Sequence, residues 1–245
     1  MRQRLLFSLL VLALAGGAHA TSDDDYAAKR RQMVREIAAD AIETSGWIGK
    51  TAFDERVMEA IGRVPRHEFV PPEIRRYAYL NRPLPIGYGQ TISQPYIVAL
   101  MTDMVTVDED DVVLEIGTGA GYQASILAEL VTEVYTVEII EELALEARER
   151  LDRLGYANIR TRVGDGYYGW KEHAPFDAIV VTAAPNHIPP SLINQLKPGG
   201  RMAIPVGSPF ADQFLMLVEK DGNGRVRTRQ VLPVVFSPFA GGERI

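Results

Sequence analysis

Short apolar runs in the second half of the chain alternate with segments in which apolar residues recur at helical spacing. The runs are largely β-branched and show little polar alternation, which is typical of strands buried on both faces. Strands are therefore predicted at residues 112–116, 134–138, 159–163 and 176–182, and helices at residues 123–130, 143–154 and 190–196. This alternation predicts a mostly parallel sheet with helices on both faces, the doubly wound α/β class.

The C-terminal part of the chain changes to consecutive strands. Residues 201–206 and 213–219 are predicted strands, and Asp221-Gly-Asn-Gly224 is typical of a tight turn leading into a strand at residues 225–232. Because so short a turn joins antiparallel neighbours, we expect the parallel sheet to close with an antiparallel hairpin.

The N-terminal part of the chain is predicted to be helical. Apolar residues recur at helical spacing through residues 33–45, and a second short helix begins at Asp54, a suitable N-cap. This second helix must end near Val64, because Pro65 disfavours the helical conformation in the residue before it.

The first 20 residues have the composition of a secretory signal. Arg2 and Arg4 precede an apolar run at residues 5–15, and Ala18-His-Ala20 supplies the small residues that a signal peptidase recognises. We expect this segment to be a signal peptide, cleaved after Ala20, and the mature protein to be periplasmic. No later segment of the sequence is long and apolar enough to predict a membrane span.

The remaining sequence, residues 21–245, is long enough for one α/β domain, and a hydrophobic content of 47% is ample for a buried core. We expect residues 21–105 to form a helical layer with a long loop, and residues 106–245 to form the sheet. The chain has no cysteine, and its 4 histidines lack metal-ligand spacing. Neither a disulfide nor a metal site is therefore predicted.

The net charge argues against nucleic acid as a partner. The chain has 26 basic and 32 acidic residues, and removal of Arg2 and Arg4 with the signal peptide leaves 24 basic residues and a formal charge of −8. A surface of this sign repels phosphate backbones, and no basic cluster interrupts it.

Three alternating glycines directly follow the strand predicted at residues 112–116. Gly117, Gly119 and Gly121 precede a predicted helix, so strand, turn and helix form the first half of a βαβ unit. Such a turn lets a ligand approach bare backbone at a helix N-terminus. A dinucleotide fingerprint would place its third glycine at position 122, where this chain has Tyr122, so a pyrophosphate ligand is disfavoured.

Two acidic residues at the ends of the next strands suggest a nucleoside without phosphates. Glu138 ends one strand and Asp165 follows another, within Gly164-Asp-Gly166. Strand ends of this kind lie side by side along a ligand crevice, where Glu138 can accept ribose hydroxyls and Asp165 can accept from an adenine amino group. S-adenosylmethionine fits this pattern. The alternative is a loop that needs glycine only to turn, followed by two solvated acids.

Residues 81–96 are rich in proline and glycine, which predicts a long loop. The loop ends where a helix begins: Ser93 is placed as its N-cap, and Pro95 suits its first turn. The local sequence favours Ser93 as a helix cap and nothing more, and a functional role in the loop is the alternative.

Several motifs together resemble the protein-L-isoaspartate O-methyltransferase family, and they span most of residues 60 to 207. The Thr-Ile-Ser-Gln-Pro loop is the most specific of them, whereas the glycine turn and the Asp-Gly element are shared by many methyltransferases. The matching elements are Pro65-Arg-His-Glu-Phe-Val-Pro71, Leu84-Pro-Ile-Gly-Tyr-Gly-Gln-Thr-Ile-Ser-Gln-Pro95, Val113-Leu-Glu-Ile-Gly-Thr-Gly-Ala-Gly-Tyr-Gln123, Gly164-Asp-Gly166, Ala174-Pro-Phe-Asp177 and Gln195-Leu-Lys-Pro-Gly-Gly200.

The resemblance implies a seven-stranded, Rossmann-like methyltransferase fold with S-adenosylmethionine as methyl donor. It makes the α-carboxylate of an isoaspartyl residue in a damaged protein or peptide the acceptor, and it places the family's active-site serine on Ser93. We expect a monomer. The implied cofactor contacts are Gln90, Thr91, Ile92, Ser93, Gly117, Gly119, Gly121, Glu138, Asp165 and Gly166. The chain departs from the family pattern in Phe236-Ser-Pro-Phe239, and its predicted signal peptide is unusual for a family generally found in the cytosol.

The implied chemistry needs few side chains. A carboxyl with a pKa of about 3.5 is ionised at neutral pH, so methylation requires alignment rather than a general base. The resulting ester can be displaced by a backbone nitrogen to give a succinimide, whose hydrolysis restores some normal aspartyl linkage. Two alternatives remain: a methyltransferase of the same fold acting on a small exported carboxylate, and a protein that binds S-adenosylmethionine without turnover.

Overall fold

The computed structural model describes residues 23–208 and 212–241. The predicted signal peptide and its cleavage site lie outside these residues. The helical layer begins with α1 (Asp23–Glu43), α2 (Ser45–Ile48) and α3 (Glu55–Arg63), followed by the 3₁₀ helices Arg66–Phe69 and Pro72–Tyr77. No helix in the described ranges has the length and apolar character needed to cross a bilayer.

The ends of α3 follow from its sequence. The side chain of Asp54 accepts a hydrogen bond from the backbone N–H of Arg56 at 2.8 Å, as an N-cap does. Val64 is extended, with φ −64° and ψ 125°, because Pro65 follows it. Both boundary predictions are confirmed, whereas the helix predicted to run through residue 45 ends at Glu43 and resumes as a separate turn.

The proline- and glycine-rich segment contains a short hairpin that its sequence pattern does not reveal. Strands β1 (Leu84–Gly87) and β2 (Gln90–Ile92) pair antiparallel, with an irregularity between Pro85 and Gly87. So few pairs leave no alternation long enough to detect. Helix α4 (Pro95–Val105) follows at once and ends the helical layer.

The second half of the chain forms a seven-stranded sheet with the order β5-β4-β3-β6-β7-β8-β9. Strands β3 to β7 run parallel, and β8 and β9 are antiparallel to their neighbours, so the predicted fold class and closing hairpin are confirmed. The strands are β3 (Val112–Ile116), β4 (Glu133–Glu138), β5 (Ile159–Val163), β6 (Phe176–Val181), β7 (Leu196–Val206), β8 (Gln213–Lys220) and β9 (Val226–Val234). The helices between them are α5 (Tyr122–Ala128), α6 (Glu141–Leu154), the 3₁₀ helices Gly166–Tyr168 and Lys171–His173, and α7 (Pro190–Gln195).

Two apolar layers enclose the sheet. Successive side chains of a strand point to opposite faces, so Val113 belongs to the layer that includes the N-terminal helices, and Leu114 belongs to the layer beneath α7. Both side chains are fully buried. Strand β3 therefore lies at the centre of the core, with β4 and β5 on one side of it and β6 to β9 on the other. This reversal of strand order opens a crevice at the carboxyl end of β3.

Candidate functional site

A cavity of about 870 Å³ occupies this crevice. Its wall combines the carboxyl ends of β3 and β4 with β2, the start of α4, the end of α1 and the segment after β9. Eight of the residues predicted for the site line it: Gln90, Thr91, Ile92, Ser93, Gly117, Gly119, Glu138 and Gly166. Gly121 and Asp165 do not line it.

The glycine turn after β3 adopts a backbone that other residues rarely adopt. Gly117 and Gly119 have φ values of 94° and 52°. A Cβ on Gly117 would collide with the hydroxyl of Thr182, which donates to the carbonyls of Ile116 and Gly117 at 3.0 and 2.7 Å. A Cβ on Gly119 would stand 3.4 Å from Ile86 in the hairpin. The turn therefore presents bare backbone to the cavity.

Gly121 serves packing. It is the residue before α5, with φ 89°, and a Cβ there would lie 3.3 Å from side-chain carbons of Leu151 in α6. The requirement for glycine at this position thus comes from the close approach of two helices, and a contact with ligand stays a prediction.

Glu138 holds the glycine turn from the end of β4. Only 6% of the residue is exposed, and its Oε2 accepts from the N–H of Gly119 at 2.8 Å. Its Oε1 accepts from the N–H groups of Ile139 and Ile140 at 2.9 and 3.0 Å. A carboxylate offers about four acceptor positions, so this fixed group can also accept from hydroxyls in the cavity.

Asp165 acts as a local cap. Its Oδ1 accepts from the N–H of Tyr167 at 2.9 Å and starts the 3₁₀ helix Gly166–Tyr168. Gly166 does face the cavity, and a Cβ there would collide with Ile116 and lie 3.4 Å from Phe239. The adenine contact predicted for Asp165 stays a prediction.

Glu115 is a site residue that the sequence pattern did not predict. It is 0% exposed within β3, lines the cavity, and accepts a hydrogen bond from Thr136 through Oε2. Its Oε1 has no hydrogen-bond partner among the described residues. Burial, reinforced by the nearby Glu138, raises the pKa of this carboxyl to about 8. The available signal was an acid inside an otherwise apolar strand.

Ser93 lines the cavity but is not the N-cap of α4, so that prediction is wrong. The N-cap is Gln94, with φ −54° and ψ 134°, and its carbonyl accepts from Val98 at 3.0 Å. Pro95 occupies the first helical position, which makes the extended residue directly before it the cap. The carbonyl of Ser93 instead accepts from Nη2 of Arg66 at 2.7 Å.

The cavity wall carries carboxylates and no basic side chain among its described residues. Two of the acids come from the end of α1, where nothing in the sequence distinguishes them from a solvated helix face. Burial raises the pKa of one of these, Asp40, whose carboxylate accepts from Asn81 at 2.7 Å. The acids of the wall are Asp40, Glu43, Glu115, Glu138 and Asp212. Such a wall suits a ligand that brings a positive charge and hydroxyl donors.

The segment after β9 forms the remaining wall, and it contains the departure Phe236-Ser-Pro-Phe239. The side chain of Gln213 fixes it by accepting from the N–H of Phe236 at 2.7 Å. The N–H of Ala184 donates to the carbonyl of Ser237 at 2.9 Å, and the N–H of Phe239 donates to the carbonyl of Ala184 at 3.0 Å. The departure is thus held by two backbone hydrogen bonds to Ala184 and by the side chain of Gln213.

Comparison with known proteins gives consistent matches. Residues 47–244 match the family model described as protein-L-isoaspartate(D-aspartate) O-methyltransferase. The chain is 68% identical over 237 residues to protein-L-isoaspartate O-methyltransferase 2 of Syntrophobacter fumaroxidans, covering 97% of this chain and 96% of that protein.

Solved structures have the same fold. One, a protein-L-isoaspartate O-methyltransferase, superposes with a TM-score of 0.75 at 28% identity, covering 88% of this chain and 67% of that one. A second, a Plasmodium falciparum chain in complex with S-adenosyl-L-homocysteine, has a TM-score of 0.70 at 21% identity, with 88% of this chain and 98% of that one covered.

Proposed function

The chain belongs to the protein-L-isoaspartate O-methyltransferase family, and from this premise we propose that it methylates the free α-carboxylate of L-isoaspartyl residues in damaged proteins and peptides. S-adenosylmethionine is the methyl donor. The product ester closes to a succinimide with loss of methanol, and hydrolysis of that ring returns part of the damage to normal aspartyl linkage.

One continuous cavity supports this proposal. The glycine turn and Glu138 lie at one part of its wall, and Ser93 with the start of α4 lies at another. A methyl donor and an acceptor carboxylate must meet without intervening water, and a single cavity whose wall contains both predicted regions allows this.

The residues of the donor region fit S-adenosylmethionine. A Cβ would narrow the cradle at Gly119, and the fixed carboxylate of Glu138 suits the two hydroxyls of a ribose. The buried oxygens Glu115 Oε1 and Gln123 Oε1 have no partner in the described part of the chain, and both residues line the cavity. When bound, S-adenosylmethionine supplies an electrophilic methyl group on a cationic sulfur.

The acceptor region must align an anion rather than activate it. The acceptor carboxylate is already ionised near pH 7, and no histidine or lysine lies among the described residues of the wall. Neutral donors such as the Ser93 hydroxyl and backbone N–H groups before α4 are suited to hold it. Their contribution is orientation, which can supply several kcal/mol of a reaction barrier.

A radiolabelled-methyl assay on paired peptides tests the proposed function. We expect incorporation of base-labile methyl ester into an isoaspartyl peptide and none into its normal aspartyl counterpart. Methylation of small carboxylates with no preference for the isoaspartyl peptide would contradict the proposed acceptor. Binding of S-adenosylmethionine without methyl transfer to any carboxylate would instead indicate a non-catalytic binding protein.

We also propose that the protein works outside the cytosol, as a monomer, after removal of residues 1–20. The support for export is in the sequence: Arg2 and Arg4, the apolar run after them, and Ala18-His-Ala20.

The acidic balance of the chain, 32 acidic against 26 basic residues, disfavours a nucleic-acid substrate.

A further inference from the structure

Arg66 is a fully buried arginine in the helical layer, at 0% exposure. Burial lowers the pKa of its guanidinium to about 10, which leaves it charged at neutral pH. A charge removed from water is costly unless polar groups surround it. The hydrogen-bond partners of Arg66 are backbone carbonyls, not carboxylates.

These carbonyls belong to segments on both sides of the β1–β2 hairpin. Arg66 Nε donates to the carbonyl of Ala78 at 2.9 Å, and Nη2 donates to that of Ser93 at 2.7 Å, with a longer contact of 3.5 Å to that of Arg82. The planar fork of an arginine can serve such divergent acceptors at once, whereas a lysine ammonium cannot match this geometry. The guanidinium therefore holds the end of the hairpin loop at Ser93.

The guanidinium also lies over the ring of Tyr122, with 4.7 Å between the guanidinium carbon and the ring centroid. Tyr122 is the first residue of α5, directly after the glycine turn, and it lines the cavity. Its buried ring makes a T-shaped contact with the ring of Phe69, with centroids 5.5 Å apart. One side chain thus contacts both the residue that follows the donor-binding turn and the backbone of Ser93.

We propose that Arg66 is a positioning residue for methyl transfer: by binding the Ser93 carbonyl and stacking on the Tyr122 ring, it sets the distance between the loop at Ser93 and the glycine turn that precedes Tyr122. This inference rests on the proposed function. Arg66 does not line the cavity, so it acts through Ser93 and Tyr122.

Arg66→Lys tests this role, because it keeps the charge and removes the fork and the planar stack. Arg56→Lys is the matched control, since Arg56 also donates to two backbone carbonyls, those of Val107 and Leu130 at 3.1 and 3.0 Å, and lies outside the cavity wall. Each variant is measured below its unfolding transition for kcat and KM with an isoaspartyl peptide, for the Kd of S-adenosylmethionine by calorimetry, and for hydrogen exchange of residues 90–98.

We expect Arg66→Lys to lower kcat/KM for the peptide at least ten-fold, mostly through KM, and to speed hydrogen exchange around Ser93. The Kd of S-adenosylmethionine should change less than the peptide KM does, because Glu138 and Thr182 hold the glycine turn independently and only the implied donor contacts at residues 90–93 depend on Arg66. Arg56→Lys should leave all three quantities near wild-type. Unchanged kcat/KM and exchange in folded Arg66→Lys, or equal losses in both variants, would overturn the inference.

Tyr122 supplies a second pair of variants should Arg66→Lys fail to fold. Tyr122→Phe keeps the ring face and Tyr122→Leu removes it, so the peptide KM of Tyr122→Leu should be at least five-fold above that of Tyr122→Phe. Equal KM values for the two would contradict the coupling. If wild-type protein does not distinguish isoaspartyl from aspartyl peptide, the proposed function itself fails, and the inference fails with it.

Discussion

Ser93 stands at the cavity wall without the capping role that its local sequence predicts. Because Gln94 is the N-cap of α4, we expect Ser93→Ala to change the free energy of unfolding by less than about 0.5 kcal/mol. Methyl transfer should nevertheless fall, since the variant lacks the hydroxyl that holds the acceptor. The measurements are urea unfolding and the initial rate of methyl transfer to an isoaspartyl peptide.

Ser93→Asn and Ser93→Asp separate shape from charge at the same position. Aspartate places a negative charge beside the incoming carboxylate and should be the slower of the two. Near-normal turnover of Ser93→Asp on an isoaspartyl peptide would show that Ser93 does not hold the acceptor.

Glu138 has a structural and a binding task in the same carboxylate. We expect Glu138→Ala to weaken S-adenosylmethionine binding by about 2 kcal/mol or more, roughly 30-fold in Kd, because it removes an ionised acceptor and loosens Gly119. Calorimetry measures this change. Glu133→Ala is the control, since Glu133 begins the same strand at its far end. Equal affinities in the two folded variants would rule out the ribose assignment.

Glu115 makes stability depend on pH. Its pKa rises from 4.5 to about 8 on folding, so the unfolded chain releases this proton before the folded chain does. The contribution of Glu115 to the free energy of unfolding is retained below pH 4.5. As pH rises toward 8 this contribution is lost, by up to about 1.4 kcal/mol per pH unit. Glu115→Gln cannot titrate. As pH rises from 5.5 to 8, the free energy of unfolding of wild-type should therefore fall relative to that of Glu115→Gln. Urea unfolding at each pH measures this difference, and a constant difference would contradict the raised pKa.

At the scale of elements, the β3–turn–α5 unit depends on glycines for different reasons. A side chain at Gly117 would collide with Thr182, and a side chain at Gly119 would take space from a ligand. The absence of a side chain at Gly121 lets α6 pack closely against the turn. The same spacing in sequence thus combines a steric, a binding and a packing requirement. Variants can separate the first two.

Gly117→Ala should lower the free energy of unfolding by more than about 2 kcal/mol, since a positive φ and the clash with Thr182 add. Gly119→Ala should lower the free energy of unfolding by about 1 kcal/mol and still fold. It should bind S-adenosylmethionine more weakly, because the added methyl group would occupy space at the cavity wall. Gly222→Ala, in a turn with no atom within 4 Å of the added Cβ, is the control. Urea unfolding and calorimetry would contradict this order if Gly119→Ala proved the least stable.

At the scale of the whole molecule, the helical layer completes the site that the sheet begins. The sheet provides the glycine turn and Glu138, and the N-terminal layer provides Ser93, Asp40 and the buried Arg66. The two share one apolar layer, which includes Met33 and Val113. Loosening the N-terminal layer should therefore impair acceptor binding before it impairs the sheet.

The proposed export has its own prediction. Protein isolated from the producing cell should begin at Thr21, because Ala18-His-Ala20 directly follows the apolar run and its two arginines. N-terminal sequencing of periplasmic and cytosolic fractions measures this. Ala20→Arg, which removes the small residue at the cleavage point, should leave the leader attached. Full-length wild-type protein confined to the cytosol would contradict the proposed export.

The sequence alone determined those features whose physical cause is local. The β-branched runs predicted β3 and β5 with their observed bounds, Asp54 and Pro65 predicted the ends of α3, and the glycine spacing predicted the turn. Periodicity, the fixed φ of proline and the freedom of glycine act within a few residues, so they can be read without the fold.

Tertiary structure decided the features that depend on residues distant in the chain. Arg66 meets Ser93 and Tyr122 only when the helical layer packs against α5, and Glu115 meets Thr136 only when β3 pairs with β4. Asp40 reaches the cavity wall although its own helix shows only an ordinary polar face. Burial, long-range hydrogen bonds and the shape of a cavity arise from pairing across the fold, and no local pattern encodes them.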